Sequence, residues 1–305
     1  MPRNFMQLLQ AQQDKGNFVC VGLDSDQKRL PGYLVTKYNG YLRAQIEFNR
    51  SIIDATKDFA GAYKPNLAFY PDASGKTVLK SAIDYIRQVA PDVPVILDAK
   101  QGDIGNTNNG YVFDDFGYYG ADAATVHNYM GMEAMRPFLD NPDNGVIVLC
   151  RTSNDGAGEL QDLMVQPSAE EAKAIGIPSL LSIPLYEYIA YRVSRAWNYN
   201  ENVCVVVGAT RPEELAEVRR IVGDMPILLP GIGAQGGDLE ATIDAGKNSK
   251  DQGMIINNSR GIIFAYEKDD EYGEDQFGLA ARKAGLAMHH AIREHLGLPY
   301  GQLNI

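Results

Sequence analysis

Asp98, Lys100 and Asp103 place two acids and a base within a few positions, directly after the apolar run at residues 95–97. Alternate side chains of a strand point to the same face, so we expect Asp98 and Lys100 to lie side by side. Gln101 and Gly102 predict a turn that brings Asp103 into an acid–base–acid cluster. Such charges are costly to desolvate, which favours proton chemistry over the alternative, a solvated ion pair at a strand end.

Eight short apolar runs alternate with helical patterns along the chain. They cover residues 18–24, 61–64, 95–97, 121–127, 145–150, 203–207, 226–229 and 253–256. Apolar strands that alternate with helices predict a parallel sheet covered on the outside, and eight such units close a barrel. We therefore expect an α/β protein, a (β/α)8 TIM barrel, as a single catalytic domain over residues 1–305. An open doubly wound sheet is disfavoured because no glycine-rich turn follows the first strand.

Residues 151–202 separate the fifth run from the sixth, which is longer than one connection needs. We expect a long insertion after strand five, with a helix over residues 185–197. Thr210 and Glu213 have the spacing of a capping box with Pro212 in the first turn, which predicts a helix start. An amphipathic helix over residues 277–296 is expected to end the fold.

The composition argues against several classes of partner. A net charge of -11 argues against binding to nucleic acid or to an anionic membrane, because both need a basic face. No apolar stretch is long enough for a membrane span or a signal peptide, so a cytoplasmic protein is expected. Cys20, Cys150 and Cys204 each lie in an apolar run and are predicted to be buried thiols. The histidines show no metal-ligand spacing, so no metal site is predicted.

Charged residues end the first three predicted strands. Asp24, Lys64 and the cluster at residues 98–103 all come at or just after a strand's carboxyl end, where barrel active sites are built. Alone, Asp24 could be a turn residue and Lys64 a lysine with a buried stem and an exposed head. Their shared position indicates one site.

A glycine-rich turn follows the seventh strand and an arginine follows the eighth. The turn contains Gly231, Gly233 and Gln235, and the arginine is Arg260. Glycines let backbone N–H groups approach an anion, and a guanidinium binds phosphate through two parallel hydrogen bonds. Barrels commonly hold phosphate in these two loops, so we expect a phosphate site opposite the charged cluster.

Together these motifs resemble orotidine 5′-phosphate decarboxylase. The matching residues are Asp98-Ala-Lys100-Gln-Gly-Asp103-Ile with Thr107, a lysine ending strand two, and Pro230-Gly-Ile-Gly-Ala-Gln235-Gly-Gly-Asp238 followed by Ser259-Arg260. The resemblance spans nearly the whole barrel. The larger branch of the family is the better match, because it too has a long segment after strand five.

The resemblance implies a reaction. Orotidine 5′-monophosphate would be decarboxylated to uridine 5′-monophosphate (UMP), the last step of de novo UMP synthesis, without a cofactor. Lys100 would donate a proton to C6, and Asp98 would face the substrate carboxylate, either repelling it or orienting Lys100. Lys64 would bridge the cluster and the ribose. Asp103 and Thr107 would reach into the neighbouring subunit's site, which implies a homodimer with shared active sites.

The same resemblance implies the binding residues. Asp24 would bind the ribose and Ser153 the pyrimidine, although several polar neighbours in loop five are also candidates for that contact. Gln235 and Arg260 would contact the phosphate, and Gln235 lies in a glycine-rich loop that could close over the ligand.

Two other functions fit parts of the pattern. A barrel enzyme that acts on a sugar phosphate with magnesium shares the Asp-x-Lys-x-x-Asp pattern, but the ammonium of Lys64 would displace the divalent ion. A protein that only binds a phosphorylated nucleoside would need the phosphate loop but not the run of alternating charges.

Overall fold

The computed structural model describes residues 3–232 and 237–299. Within these ranges the strands are β1 (Val19–Gly22), β2 (Ala60–Lys64), β3 (Ile96–Gln101), β4 (Ala123–Val126), β5 (Gly145–Arg151), β6 (Met164–Val165), β7 (Ile183–Pro184), β8 (Val203–Val207), β9 (Ile227–Pro230) and β10 (Met254–Asn258). The α-helices of the same ranges are α1 (Phe5–Asp14), α2 (Gly32–Lys37), α3 (Tyr41–Thr56), α4 (Asp72–Val89), α5 (Gly105–Val112), α6 (Gly131–Leu139), α7 (Gly158–Gln161), α8 (Ala169–Ile175), α9 (Leu185–Arg192), α10 (Pro212–Val222), α11 (Leu239–Gly246), α12 (Arg260–Ile263) and α13 (Phe277–His295).

Eight strands form one parallel sheet in the order β2-β1-β10-β9-β8-β5-β4-β3. The two strands at the ends of this order are joined by bridges from Tyr63 to Val95 and from Asn66 to Asp98, which bring the sheet round into a barrel. Each of the eight predicted runs overlaps one of these strands. The predicted (β/α)8 barrel is therefore confirmed, because eight parallel strands alternate with helices along the chain and the sheet comes round on itself.

The interior of the barrel is packed by alternate strand residues. These belong to one buried cluster: Cys20, Ala62, Ile96, Ala123, Ile147, Cys204, Val206, Leu228 and Ile255. Helix α1 adds Phe5 and Leu9 to this cluster, and a Cβ at Gly145 would lie only 2.2 Å from the Phe5 ring. A larger cluster fills the space between strands and helices. The barrel floor is therefore closed by packing, and the opposite end remains open for a site.

Residues 152–202 connect β5 to β8 and contain α7, the antiparallel pair β6 and β7, α8 and α9. The helix predicted over residues 185–197 is present as α9 and a following π-helix, Val193–Trp197. Helix α9 packs against α10 and β5. This packing holds the segment against the barrel. Helix α9 also contacts α7, which therefore lies close to the end of β5.

The predicted capping box of Thr210 and Glu213 does not form. Helix α10 begins at Pro212, Arg211 is its N-cap residue and no side chain caps the first turn. The helix therefore starts one residue later than the capping box requires, and Glu214 takes the third helical position. No helix in the described part of the chain is long and apolar enough to cross a bilayer.

Candidate active site

A cavity of about 550 Å³ lies at the carboxyl ends of the barrel strands. Seven residues that were predicted for the site line it: Asp24, Lys64, Asp98, Lys100, Ser153, Gly231 and Arg260. They come from opposite sides of the barrel, so the fold brings the charged cluster and the predicted phosphate loops to one cavity.

Asp98 is the centre of the charged cluster. Its Oδ1 accepts hydrogen bonds from the Lys100 ammonium at 2.6 Å and from the Thr125 hydroxyl at 2.9 Å. Its Oδ2 accepts a hydrogen bond from the Lys64 ammonium at 2.8 Å. Asp98 and Lys100 thus lie side by side, and both carboxylate oxygens of Asp98 are occupied by ammonium groups.

Mutual attraction keeps Asp98 and Lys64 charged despite their burial. Burial alone would raise the pKa of Asp98, but the neighbouring Lys64 and Lys100 hold it well below its usual range. Burial alone would lower the pKa of Lys64, yet the carboxylates of Asp98 and Asp24 raise it. The Lys64 side chain is 4% exposed and that of Lys100 is 49% exposed, so Lys100 presents the accessible ammonium.

The backbone departs from regular strand geometry at Lys100. Its φ of 50° lies in the left-handed region, which costs a residue with a side chain roughly 1 kcal/mol. The pairing of β3 with β4 shifts register between Leu97 and Gln101. The Lys100 N–H donates to the Thr125 hydroxyl at 3.0 Å. This hydrogen bond takes the place of a backbone hydrogen bond between β3 and β4 where their register shifts.

Thr125 is a site residue that we did not predict from the sequence. It lies in β4, is 1% exposed and links the Lys100 backbone to the Asp98 carboxylate. The available signal in the sequence was a single hydroxyl within the apolar run of strand four.

Asp103 does not join the cluster, so the prediction of an acid–base–acid arrangement within one chain is wrong. Its carboxylate accepts from the Ile104 N–H, and it forms no ion pair with any described lysine or arginine. The reason is the path of the chain. Gly102 packs on the His127 ring, and the chain then turns away from the cluster into α5. Thr107, in the first turn of α5, also lies outside the cavity lining.

The predicted phosphate side is formed by β9, β10 and the residues that follow them. Gly231 has a φ of 113°, which a residue with a side chain rarely adopts. Arg260 is exposed, and its side chain has no hydrogen-bond partner among residues 3–232 and 237–299. Gly233 and Gln235 lie outside the described residues. The Arg260 guanidinium is therefore available to an anion in the cavity.

Two buried acceptors in the cavity lining are unsatisfied. The Oδ1 atoms of Asp24 and Asn257 have no hydrogen-bond partner among the described residues. Buried acceptors usually have a partner, so hydroxyl or N–H groups of a ligand would suit both positions. The described residues include no group of three or more His, Cys, Asp or Glu placed to hold a metal ion.

Comparison with known proteins gives the family. The model of the orotidine 5′-phosphate decarboxylase / HUMPS family matches residues 17–274. The chain belongs to this family. The family protein of Janthinobacterium sp. (strain Marseille), named orotidine 5′-phosphate decarboxylase, is 44% identical over 278 residues, which cover 91% of this chain and 93% of that protein.

Solved structures of the family share the barrel. The Leishmania donovani OMP decarboxylase has a TM-score of 0.77 and 33% identity, with 97% of this chain and 100% of that chain covered. The Leishmania donovani UMP synthase has a TM-score of 0.78 and 35% identity, covering 96% of this chain but only 56% of that longer chain. The family recognised from the motifs is thus confirmed.

Proposed function

We propose that this protein decarboxylates orotidine 5′-monophosphate to UMP and carbon dioxide, as the names of its relatives indicate for them. The observation that supports this most strongly is the arrangement of Lys64, Asp98 and Lys100 in one cavity with Arg260. An anionic group at Arg260 would hold the nucleotide at one end, and the ammonium groups would act on the base at the other.

We assign the binding roles from the family resemblance, in agreement with the lining of the cavity where residues are described. The phosphate is placed at Gly231 and Arg260, with Gln235 as a further contact. The ribose hydroxyls are placed at Lys64 and at the unsatisfied oxygen of Asp24. The pyrimidine then lies between Lys100 and the loop that contains Ser153, which puts C6 beside the ammonium.

The chemical step breaks the bond between C6 and the carboxylate carbon. Carbon dioxide leaves, and the electron pair of that bond stays on C6. Lys100 stabilises the developing charge and donates a proton from Nζ to C6, which forms the C–H bond of UMP. The neutral amine then takes a proton from water. Asp98 holds the Lys100 ammonium in place through their 2.6 Å hydrogen bond, and no cofactor is required because the proton accepts the electron pair.

A homodimer would complete each site. Asp103 and Thr107 lie outside the cavity of their own chain, where they could reach a neighbour's site. Two apolar side chains beside α5 are unusually accessible, Ile104 at 58% and Phe113 at 69%. A second copy would cover them, and large exposed apolar side chains commonly mark such interfaces. We place the enzyme in the cytoplasm, in keeping with its three free cysteines.

The test is the loss of orotidine monophosphate absorbance with purified protein in excess EDTA. We expect rapid loss with stoichiometric formation of UMP. No loss with folded protein, together with turnover of a sugar phosphate once magnesium is restored, would support the magnesium-dependent alternative instead.

A further inference from the structure

Gln161 connects the segment after β5 to the wall of the cavity. It is the last residue of α7 and lines the cavity together with Thr152, Ser153 and Asn154. Neither the charged cluster nor the phosphate side involves it. Through Gln161, the segment between β5 and β8 forms part of the site and is not only a surface connection.

Both ends of the Gln161 amide are bonded to the loop that follows β5. Its Oε1 accepts from the backbone N–H of Thr152 at 2.9 Å, and its Nε2 donates to the Thr152 hydroxyl at 2.8 Å. The Thr152 hydroxyl then donates to Oδ1 of Asn154 at 2.7 Å. Strand β5 ends at Arg151, so Gln161 supplies the partner that the sheet no longer gives the Thr152 N–H.

This chain of hydrogen bonds has one direction. The Gln161 nitrogen can only donate, so the Thr152 hydroxyl hydrogen is directed to Asn154. With its oxygen held by Thr152, the Asn154 amide turns its NH₂ group away from that contact. A carbonyl oxygen of a ligand is the natural acceptor for such a donor.

The loop is also anchored from the barrel side. Arg151 is 2% exposed and binds Glu214 of α10 through two hydrogen bonds of 2.6 and 3.0 Å. It also pairs with Asp162, the residue after Gln161, at 3.0 Å. The ends of β5, α7 and α10 are therefore connected, and Gln161 is held where it can fix the loop.

We propose that Gln161 is a positioning residue that orients residues 152–154 for recognition of the pyrimidine base. This inference rests on the proposed function, because that function places the base against this loop. Gln161 touches no reacting atom; it acts through Thr152 and Asn154. Its contribution therefore appears in the binding of ligands that contain the base and not in the binding of ribose phosphate alone.

The experiment compares inhibition constants for UMP and for ribose 5-phosphate, measured against orotidine monophosphate turnover. Gln161→Ala is expected to weaken UMP binding by roughly tenfold, the value of one or two lost hydrogen bonds, while ribose 5-phosphate binding stays unchanged. Leu160→Ala is the matched control, because Leu160 is the preceding residue of α7 and its side chain is 60% exposed. It should leave both constants unchanged.

Two further variants separate positioning from simple loss of folding. Thr152→Val keeps the shape of the side chain but removes the hydroxyl that links Gln161 to Asn154. This variant should weaken the binding of UMP and leave the binding of ribose 5-phosphate unchanged. Gln161→Glu keeps the acceptor for the Thr152 N–H and should bind UMP better than Gln161→Ala. Equal losses for UMP and ribose 5-phosphate, or unchanged UMP binding in Gln161→Ala, would overturn the proposal. Failure of the wild type to turn over orotidine monophosphate would instead overturn the proposed function.

Discussion

At the scale of single residues, the site depends on one carboxylate shared by two ammonium groups. Asp98 is 7% exposed, and removing either partner of a buried ion pair commonly costs several kcal/mol because the other charge remains buried. Among the charged residues that line the cavity, Lys64, Lys100 and Arg260 outnumber Asp24 and Asp98 by one. That excess suits an anionic substrate and negative charge developing at carbon.

Asp115 gives a prediction about pH. It is fully buried, and the Gln101 amide nitrogen, in the orientation that satisfies both groups, donates to its Oδ2 at 2.7 Å. Burial, and then the charge of Asp114, raise the pKa of Asp115 to about 7. Between the unfolded pKa of about 4 and this value, the native state holds a proton that the unfolded state has lost. This group therefore lowers the free energy of unfolding as pH rises through that window.

Asp115→Asn removes this titration. The difference in free energy of unfolding, variant minus wild type, should therefore increase by roughly 2–3 kcal/mol as pH rises from 5 to 8. Urea denaturation at a series of pH values measures this difference. Asp114→Asn, at an exposed neighbouring position, should show a smaller change of the same sign. Parallel pH profiles for wild type and Asp115→Asn would show that Asp115 titrates normally.

At the scale of elements, the close approach of β1 to the loop after β10 gives a prediction about phosphate binding. A Cβ at Gly22 would lie 1.8 Å from the Ser259 hydroxyl, directly before Arg260. Gly22→Ala must therefore displace Ser259, and we expect the neighbouring Arg260 to shift with it. We expect KM for orotidine monophosphate to rise by roughly tenfold with a smaller change in kcat.

The control is Gly278→Ala in α13, where the nearest neighbour of an added Cβ would be 3.8 Å away. That variant should keep the wild-type KM. An unchanged KM in a folded Gly22→Ala protein would mean that Arg260 does not depend on this packing.

The strands and their polar ends could be predicted because both depend on local pattern. An apolar run that ends in Asp24 or Lys64 shows the strand and the position of the charge together. The contacts of Thr125 and Gln161 could not be predicted from the sequence. Those of Thr125 depend on strand register, and those of Gln161 depend on how the long segment after β5 packs back against the barrel. The direction of Asp103 depends on packing at Gly102, which no local spacing shows.

At the scale of the whole molecule, the proposed sharing of active sites in a dimer predicts complementation between two inactive variants. Lys100→Ala removes a residue of the chain's own site, and Asp103→Ala removes one proposed to act in the partner's site. A mixed dimer would contain one intact site, so an equal mixture that exchanges subunits should recover about a quarter of wild-type activity.

The mixing experiment requires both variants to be nearly inactive alone and dimeric by sedimentation. No recovery after demonstrated subunit exchange would show that Asp103 acts within its own chain or not at all. A monomeric wild type would contradict the proposed dimer directly.

The most direct test of the central claim is orotidine monophosphate turnover by Lys100→Ala, with UMP binding measured on the same preparation. The account predicts that turnover falls by roughly a thousandfold or more while UMP still binds, because the proton donor is lost but the phosphate and ribose contacts remain. Lys283→Ala, a lysine paired with Asp269 and Glu271, should retain wild-type turnover. Near-normal turnover in Lys100→Ala would contradict the assignment of Lys100 as the proton donor to C6.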